Sequence, residues 1–154
     1  MATVESASLL PNPLIGFGTA SVTNGDGAFV IAGGVSKGVH QKQCYLFKSS
    51  EDGGLSVKPI ADMLQEREEF GLVCDPLGKY LYAIGGYNET CKFLSTVERY
   101  CFATDTWEHV TSLDRPLKAV GAVSLPDGIY IIGGFDGIDQ QYCDTVRKLD
   151  TSSN

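Results

Sequence analysis

The chain has 154 residues, the length of one ordinary domain, and 43% of them are hydrophobic. Its net charge is −7 and its twelve lysines and arginines are scattered, whereas surfaces for nucleic acid or anionic membranes need clustered basic side chains. No stretch approaches the roughly 18 consecutive apolar residues of a membrane span. These features predict a protein that binds neither nucleic acid nor membrane.

The N-terminus and the cysteines favour a cytoplasmic location. The chain does not open with a basic segment followed by an apolar core, as a signal peptide does. Its five cysteines are an odd number and form no Cys-x-x-Cys pair, which favours free thiols in a reducing compartment. Two of them, Cys91 and Cys143, fall in predicted loops, and a redox role for either one is left open.

Four short strands are predicted in the first part of the chain, over residues 14–64. They are runs of apolar or β-branched residues between turn signals, which is the pattern of an antiparallel meander. Residues 2–10, which precede them, loosely resemble the last strand of the next unit and predict a stray outer strand. The strands, here named A to D, are expected at residues 18–22, 29–34, 44–47 and 55–60.

The same order of strands recurs twice. Residues 65–114 predict strands at 70–74, 80–86, 96–102 and 106–113, and residues 115–151 predict strands at 120–124, 129–134 and 146–149. The third unit therefore stops before its strand D. Strand B of the middle unit is apolar at successive positions, which predicts burial on both of its faces.

A pair of glycines ends strand B in every unit. The pairs begin at Gly33, Gly85 and Gly133, at intervals of 52 and 48 residues. Glycine adopts positive φ and lets another backbone approach closely, so each pair predicts a sharp bend beside a neighbouring unit. A repeat of about 50 residues that carries Gly-Gly is typical of the blades of a β-propeller.

The middle unit resembles the kelch family, and the resemblance covers residues 14–151. It rests on Arg67, Gly71, Gly85, Gly86, the run Val97-Glu98-Arg99-Tyr100 and Trp107. The third unit matches through Gly133-Gly134, whereas the first keeps Gly33-Gly34 but has no Trp. The resemblance implies an all-β, kelch-type β-propeller segment with about three four-stranded antiparallel blades. Tyr100 and Trp107 are large and flat, and we expect them to fill the wedge between blades.

The number of blades departs from the family pattern. Kelch propellers have six or seven blades, and three blades cannot close a ring of normal geometry. Because a blade buries its faces only against neighbours, the open faces must be covered. We expect this chain to be part of a larger ring completed by further blades in cis. The alternatives are a second copy in trans, which would give a six-bladed ring, and coverage by another chain.

The resemblance is closest to the kelch-like adaptors, which present substrates to cullin ubiquitin ligases. It implies a protein or peptide ligand, no enzyme activity and no cofactor. In a four-stranded blade the B–C loops, here residues 35–42, 87–95 and 135–142, emerge on the same face as the D–A links. Loops on a rigid scaffold often carry function, although these loops could also be merely solvated. The predicted partner-binding residues are Arg67, Tyr87, Asn88, Lys92, Phe135, Asp136, Asp139, Gln140 and Gln141.

Two other functions stay open at this point. Some kelch propellers are enzymes, such as copper-dependent sugar oxidases and certain sugar isomerases, and others bind actin as scaffolds. The two histidines, His40 and His109, are not near a motif of metal-ligand spacing, so no metal site is predicted. Arg67 has two interpretations as well: it ties two blades together, or it contacts a ligand.

Overall fold

The computed structural model describes residues 9–23 and 27–151, and their regular structure is entirely β-strand. Three larger antiparallel sheets in this part of the chain correspond to the three predicted units. None of the described residues forms a helix that is long and apolar enough to span a membrane. The stray strand predicted at 2–10 and the turn between the first two strands lie largely outside the described residues.

The first sheet is a meander with strand order β1-β2-β5-β6. A small hairpin, whose two strands have two residues each, is inserted between its second and third strands. Its strands A, C and D begin where they were predicted to begin. The elements are β1 (Gly18–Val22), β2 (Ala28–Ala32), β3 (Val35–Ser36), β4 (Val39–His40), β5 (Cys44–Ser49) and β6 (Leu55–Ile60).

The second sheet repeats this order as β7-β8-β11-β12, again with a small hairpin between the second and third strands. The register of its last two strands shifts between Val97 and Glu98, which is a β-bulge. The elements are β7 (Gly71–Cys74), β8 (Tyr80–Ile84), β9 (Tyr87–Asn88), β10 (Lys92–Phe93), β11 (Thr96–Cys101) and β12 (Thr106–Ser112).

The third sheet contains three strands in the described part of the chain, in the order β14-β15-β17. Its B–C loop pairs with the incoming link and also closes on itself through an antiparallel bridge between Phe135 and Tyr142. The elements are β13 (Leu117–Lys118), β14 (Gly121–Leu125), β15 (Gly128–Ile132), β16 (Phe135–Asp136) and β17 (Val146–Leu149).

Strand B ends one residue before the diglycine in every sheet, and the prediction that it includes the glycines was wrong. The reason is the backbone conformation: Gly33, Gly85 and Gly133 have φ of 63°, 62° and 62°. This left-handed region is incompatible with an extended strand and is readily adopted only by glycine. The glycines therefore turn the chain out of the sheet.

The core consists of two layers, one on each side of the second sheet. Alternate residues of β8 face opposite neighbours: Leu81 and Ala83 pack towards the first sheet, whereas Tyr82 and Ile84 pack towards the third. Because side chains alternate along a strand, a strand buried on both faces must be apolar at every position. This arrangement confirms the interpretation of the unbroken apolar run.

The inner strands of the three sheets converge. Strand β7 contacts β1 on one side and β14 on the other. Glycine allows the approach, because a Cβ added at Gly18 would lie 2.7 Å from the Leu72 Cβ, and one at Gly71 would lie 3.0 Å from the Ala122 Cβ. Sheets that stack face to face with adjoining inner strands are the blades of a β-propeller. The all-β, partial-propeller fold is confirmed.

Candidate protein-interaction face

The B–C loops and the D–A links form one face, named here the loop face. Each link pairs with the B–C loop of the blade that it enters, through Ile15 with Val35, Glu68 with Tyr87 and β13 with β16. The described A–B turns, after β7 and after β14, lie at the opposite ends of the strands. This pairing gives the connecting segments a fixed backbone on which side chains are displayed.

The diglycines attach the loop face of one blade to the next blade. The Gly34 N–H donates to the Arg67 carbonyl at 2.8 Å, and the Gly86 N–H donates to the Leu117 carbonyl at 2.7 Å. Both carbonyls belong to the link that enters the following blade. A side chain at the first glycine would collide with the same oxygen, since an added Cβ at Gly85 lies 2.5 Å from the Leu117 O.

Arg67 is fully buried between the first two blades. Its guanidinium donates to the Gly85 carbonyl at 2.7 Å, to the Thr96 carbonyl at 3.3 Å and to the Glu98 carboxylate. Burial lowers the pKa of the Arg67 guanidinium, and the Glu98 charge opposes that effect. Glu98 also accepts the Leu64 N–H at 2.8 Å, so the ion pair joins strand C to the preceding link. The Arg67 carbonyl accepts the Gly34 N–H and its N–H donates to the Gln41 carbonyl, both in the first blade, so Arg67 ties the two blades together through its backbone while its side chain is buried.

Asn88 and Asp136 occupy equivalent loop positions and are also buried. The Asn88 amide donates to the Glu66 carbonyl at 2.9 Å and accepts the Cys91 N–H at 2.7 Å. The Asp136 carboxylate accepts the Ile138 N–H at 2.7 Å and pairs with Arg115. These side chains hold the loops in shape. Their predicted partner contacts, like that of Arg67, are corrected because all three residues are buried.

The remaining predicted contact residues lie on or beside the loop face. Tyr87 and Phe135 are partly exposed, whereas Lys92, Gln140 and Gln141 are exposed. Lys92 pairs with Glu89 at 2.7 Å, and Asp139 pairs with Arg115. Partner binding therefore stays a prediction for six residues, which are Tyr87, Lys92, Phe135, Asp139, Gln140 and Gln141.

Five rings cross the loop face as a continuous series, named here the aromatic row. Successive ring centroids are 5.8, 5.8, 5.9 and 5.3 Å apart, which are contact distances for aromatic pairs. The row passes from the first blade to the third. Its members are, in order, His40, Tyr87, Phe93, Phe135 and Tyr142.

The sequence analysis missed His40, Phe93 and Tyr142. A signal for two of them was present, because an aromatic residue follows the diglycine directly in both the second and third repeats. A second aromatic residue comes six or seven positions later, at Phe93 and Tyr142. The missed relation is the contact between blades: Phe93 packs so closely on Gly137 of the next loop that a Cβ there would lie 2.5 Å from the ring.

The charged groups beside the aromatic row are paired. The Lys118 Nζ lies 2.8 Å from the Glu69 carboxylate, and this hydrogen bond raises the pKa of Lys118. The same ammonium lies 5.5 Å from the Tyr87 centroid and 5.9 Å from that of Phe93. His40 lies 3.0 Å from Glu68. The row is thus an aromatic surface beside which the charges of Lys118 and Glu69 neutralise one another.

Tyr100 and Trp107 lie in the wedge between the first two blades. Their rings are 5.4 Å apart, and both are buried. The Trp107 indole donates to the Ala61 carbonyl at 2.9 Å, and the Tyr100 hydroxyl donates to the Asp105 carboxylate at 2.8 Å. Asp105 in turn accepts the Ala61 N–H at 2.8 Å. These contacts connect the outer part of the second blade to the end of the first.

Stacked four-stranded blades, joined at diglycine bends, define the class as a β-propeller repeat protein. The Kelch motif matches residues 73–113 and 116–154. The chain therefore belongs to the kelch-repeat family.

Individual relatives are similar over different lengths. Kelch-like protein 1 of Mus musculus is 44% identical over 59 residues, which are 38% of this chain and 8% of that protein. Kelch repeat and BTB domain-containing protein 2 of cowpox virus (strain GRI-90 / Grishak) is 30% identical over 144 residues, which are 93% of this chain and 24% of that protein. The chain spans about a quarter or less of these relatives.

Among solved structures, a fungal alcohol oxidase of the AA5 family in complex with copper is similar, with a TM-score of 0.70. The match covers 84% of this chain and 30% of the oxidase, at 18% sequence identity. A likeness at this identity shows a shared fold. The described residues of this chain bring together no group of three or more His, Cys, Asp or Glu side chains that could hold a metal ion.

Proposed function

We propose that the chain is a protein-interaction module and that its loop face binds a protein or peptide segment. The aromatic row is the observation that supports this proposal most directly. Aromatic residues are enriched in protein interfaces, where a few of them supply most of the binding energy. The pairing of links with loops supports it as well, since contact residues on a fixed backbone lose little entropy on binding.

The more specific proposal is substrate recognition for a cullin-type ubiquitin ligase. It rests on the relationship to kelch-like and BTB-kelch proteins and not on a residue of this chain. We propose further that the chain is not an enzyme and acts in the cytoplasm. The oxidase relationship concerns the fold alone and brings no catalytic role to residues of this chain, and no observation favours actin binding.

Site-specific photocrosslinking tests the interaction proposal. A photoreactive amino acid replaces Tyr142, which is 87% exposed at the end of the aromatic row, or Leu77, which is 70% exposed on an A–B turn at the opposite face. We expect a partner to be cross-linked through position 142 and not through position 77. Equal cross-linking from both positions, or cross-linking from position 77 alone, would contradict the proposal.

We also propose that the outer face of the third sheet packs against a further blade of the same repeat. Val146 pairs with Ile132 as Val97 pairs with Ile84, yet Val146 is 62% exposed whereas Val97 is fully buried. The exposed face therefore repeats the composition of a face that is buried between blades. Val123 and Leu125 extend the same exposed apolar surface. Apolar patches of this kind mark contact surfaces.

A second copy is the only source of such a blade when the purified chain is alone in solution. We expect sedimentation velocity to show association that rises with concentration and is reduced by Val146→Lys. Leu77→Lys, on an exposed turn elsewhere, serves as the matched control. A chain that stays monomeric over a 100-fold range of protein concentration would contradict coverage of this face by a second copy.

A further inference from the structure

One end of the aromatic row forms a cleft between the B–C loops of the second and third blades. The cleft has a volume of about 450 Å³ and is open to solvent along one side. Phe93, Phe135 and Tyr142 are its aromatic walls, and Glu69, Lys118 and Gln140 line it as well. A volume of this size holds a few residues of an extended peptide.

The aromatic walls are held in place by their neighbours. The Phe93 and Phe135 rings are stacked with an interplanar angle of 27°, and the Phe135 and Tyr142 rings meet edge to face at 78°. Phe93 is additionally fixed against Gly137, where no side chain larger than hydrogen fits. Phe93 and Phe135 are therefore in place before a ligand arrives, which limits the entropy lost on binding, whereas Tyr142 is 87% exposed.

The charges around the cleft do not favour a charged ligand. The Lys118 ammonium is held by Glu69 at 2.8 Å, and the Arg115 guanidinium, which does not line the cleft, is held by Asp136 and Asp139. Because these charges already neutralise one another, a charged peptide finds no unpaired charge of opposite sign among these groups. An uncharged segment leaves these pairs intact.

We propose that this cleft binds an uncharged, proline-rich segment of a partner protein in the polyproline II conformation. The inference rests on the proposed function and specifies its ligand. Proline rings pack on aromatic walls, and a polyproline II segment is extended before it binds, so little ordering is required. Its carbonyls have no internal partners. One N–H of the Gln140 amide donates to the Gly137 carbonyl at 2.7 Å, and its other N–H and the Tyr142 hydroxyl can donate to the carbonyls of such a segment.

Titration with three labelled decapeptides tests the proposal by fluorescence anisotropy. One peptide is uncharged and contains two Pro-x-x-Pro motifs, one is rich in Glu, and one is rich in Lys. We expect the proline-rich peptide to bind most tightly, with an affinity that changes less than twofold between 0.05 and 0.5 M salt, because no ion pair forms.

Two variants locate the binding. Tyr142→Ala removes an exposed wall of the cleft and is expected to weaken binding of the proline-rich peptide at least tenfold. Ile138→Ala removes a side chain that is 63% exposed in the same loop but does not line the cleft, and it is expected to change affinity less than twofold.

Other results would overturn the inference in distinguishable ways. Tighter binding of the Glu-rich or the Lys-rich peptide, lost in Tyr142→Ala, would refute the proline-rich ligand while leaving the proposed function in place. The same loss of affinity in both variants would place the binding outside the cleft. Binding of none of the three peptides would refute the inference, and the crosslinking through Tyr142 then decides the proposed function separately.

Discussion

Replacing the first glycine of each diglycine by alanine separates two effects, backbone strain and contact between blades. Gly33, Gly85 and Gly133 have the same φ within 1°, and their N–H groups make the same type of hydrogen bond to strand C or the residue before it. Their surroundings differ. An added Cβ lies 2.5 Å from the carbonyl oxygen of the next blade's link at the first two sites. At Gly133 its nearest contact is the Cys143 O at 3.4 Å.

The expected magnitudes follow from this difference. A non-glycine residue in the left-handed region costs about 1–2 kcal/mol, and Gly133→Ala should lose about that much stability. Gly85→Ala adds a collision with the Leu117 O, which moves the acceptor of the Gly86 N–H bond, worth about 0.5–1.5 kcal/mol. The link is also displaced further, so we expect Gly85→Ala to lose about 2–4 kcal/mol of stability in total. Gly33→Ala meets the Arg67 O in the same way and should match Gly85→Ala.

Urea unfolding of the three variants measures these differences. For a chain of this size 1 kcal/mol corresponds to a shift in Tm of about 2–4 °C, so thermal unfolding provides a second readout. We expect Gly33→Ala and Gly85→Ala to be clearly less stable than Gly133→Ala. Equal destabilisation at all three sites would show that φ alone determines the need for glycine, and would refute the role of the diglycines in attaching one blade to the next.

Three further predictions concern the contacts between blades. Glu98→Gln leaves the Arg67 guanidinium buried without a counter-charge and should lower the free energy of unfolding by about 3–5 kcal/mol, measured by urea unfolding; a loss below 1 kcal/mol would contradict the buried pair. The Asp105 carboxylate accepts hydrogen bonds from the Ala61 N–H and the Tyr100 hydroxyl, and these bonds lower its pKa. Asp105→Asn replaces this carboxylate with a weaker acceptor. The stabilisation by Asp105 is complete above its unfolded pKa of about 3.9 and is lost as the pH falls through the lower folded value. The difference in stability between wild type and Asp105→Asn should therefore be constant from about pH 5 to 8 and shrink below about pH 4, and a constant difference down to pH 2 would refute this role. Val146→Lys should reduce self-association without lowering Tm by more than about 2 °C, since Val146 is 62% exposed; association unchanged from wild type would exclude the third sheet as the contact.

Local patterns in the sequence were sufficient to predict the strands of the three larger sheets but not the two-residue strands in the loops and links. Alternation and turn residues depend on neighbours a few positions away, and the strands of the larger sheets begin within one residue of the predicted positions in all three repeats. The diglycines were the exception, because the sequence shows that glycine is needed but not which residue leaves the extended conformation. The family was predicted from the motif spacing and is confirmed.

The candidate site was predicted only in part, since its contacts join distant residues. Arg67 and Glu98 are 31 positions apart in the same repeat and meet because the link that enters the blade passes beside its strand C, a relation that local sequence patterns do not show. Asn88 and Asp136 are polar loop residues, and their sequence does not distinguish a side chain that fixes its own loop from one that faces solvent. The roles of Phe93 and Tyr142 could be predicted only by comparing the B–C loops of two neighbouring blades.

The central claim is that recognition uses the loop face. It is tested by measuring the affinity of the partner that cross-links through position 142. The purified partner is titrated by calorimetry with wild type, Tyr142→Ala and Leu77→Ala, the two variants altering exposed residues on opposite faces. The account predicts at least a tenfold loss of affinity in Tyr142→Ala and a change below twofold in Leu77→Ala. Unchanged affinity in Tyr142→Ala, with a loss in Leu77→Ala, would contradict it.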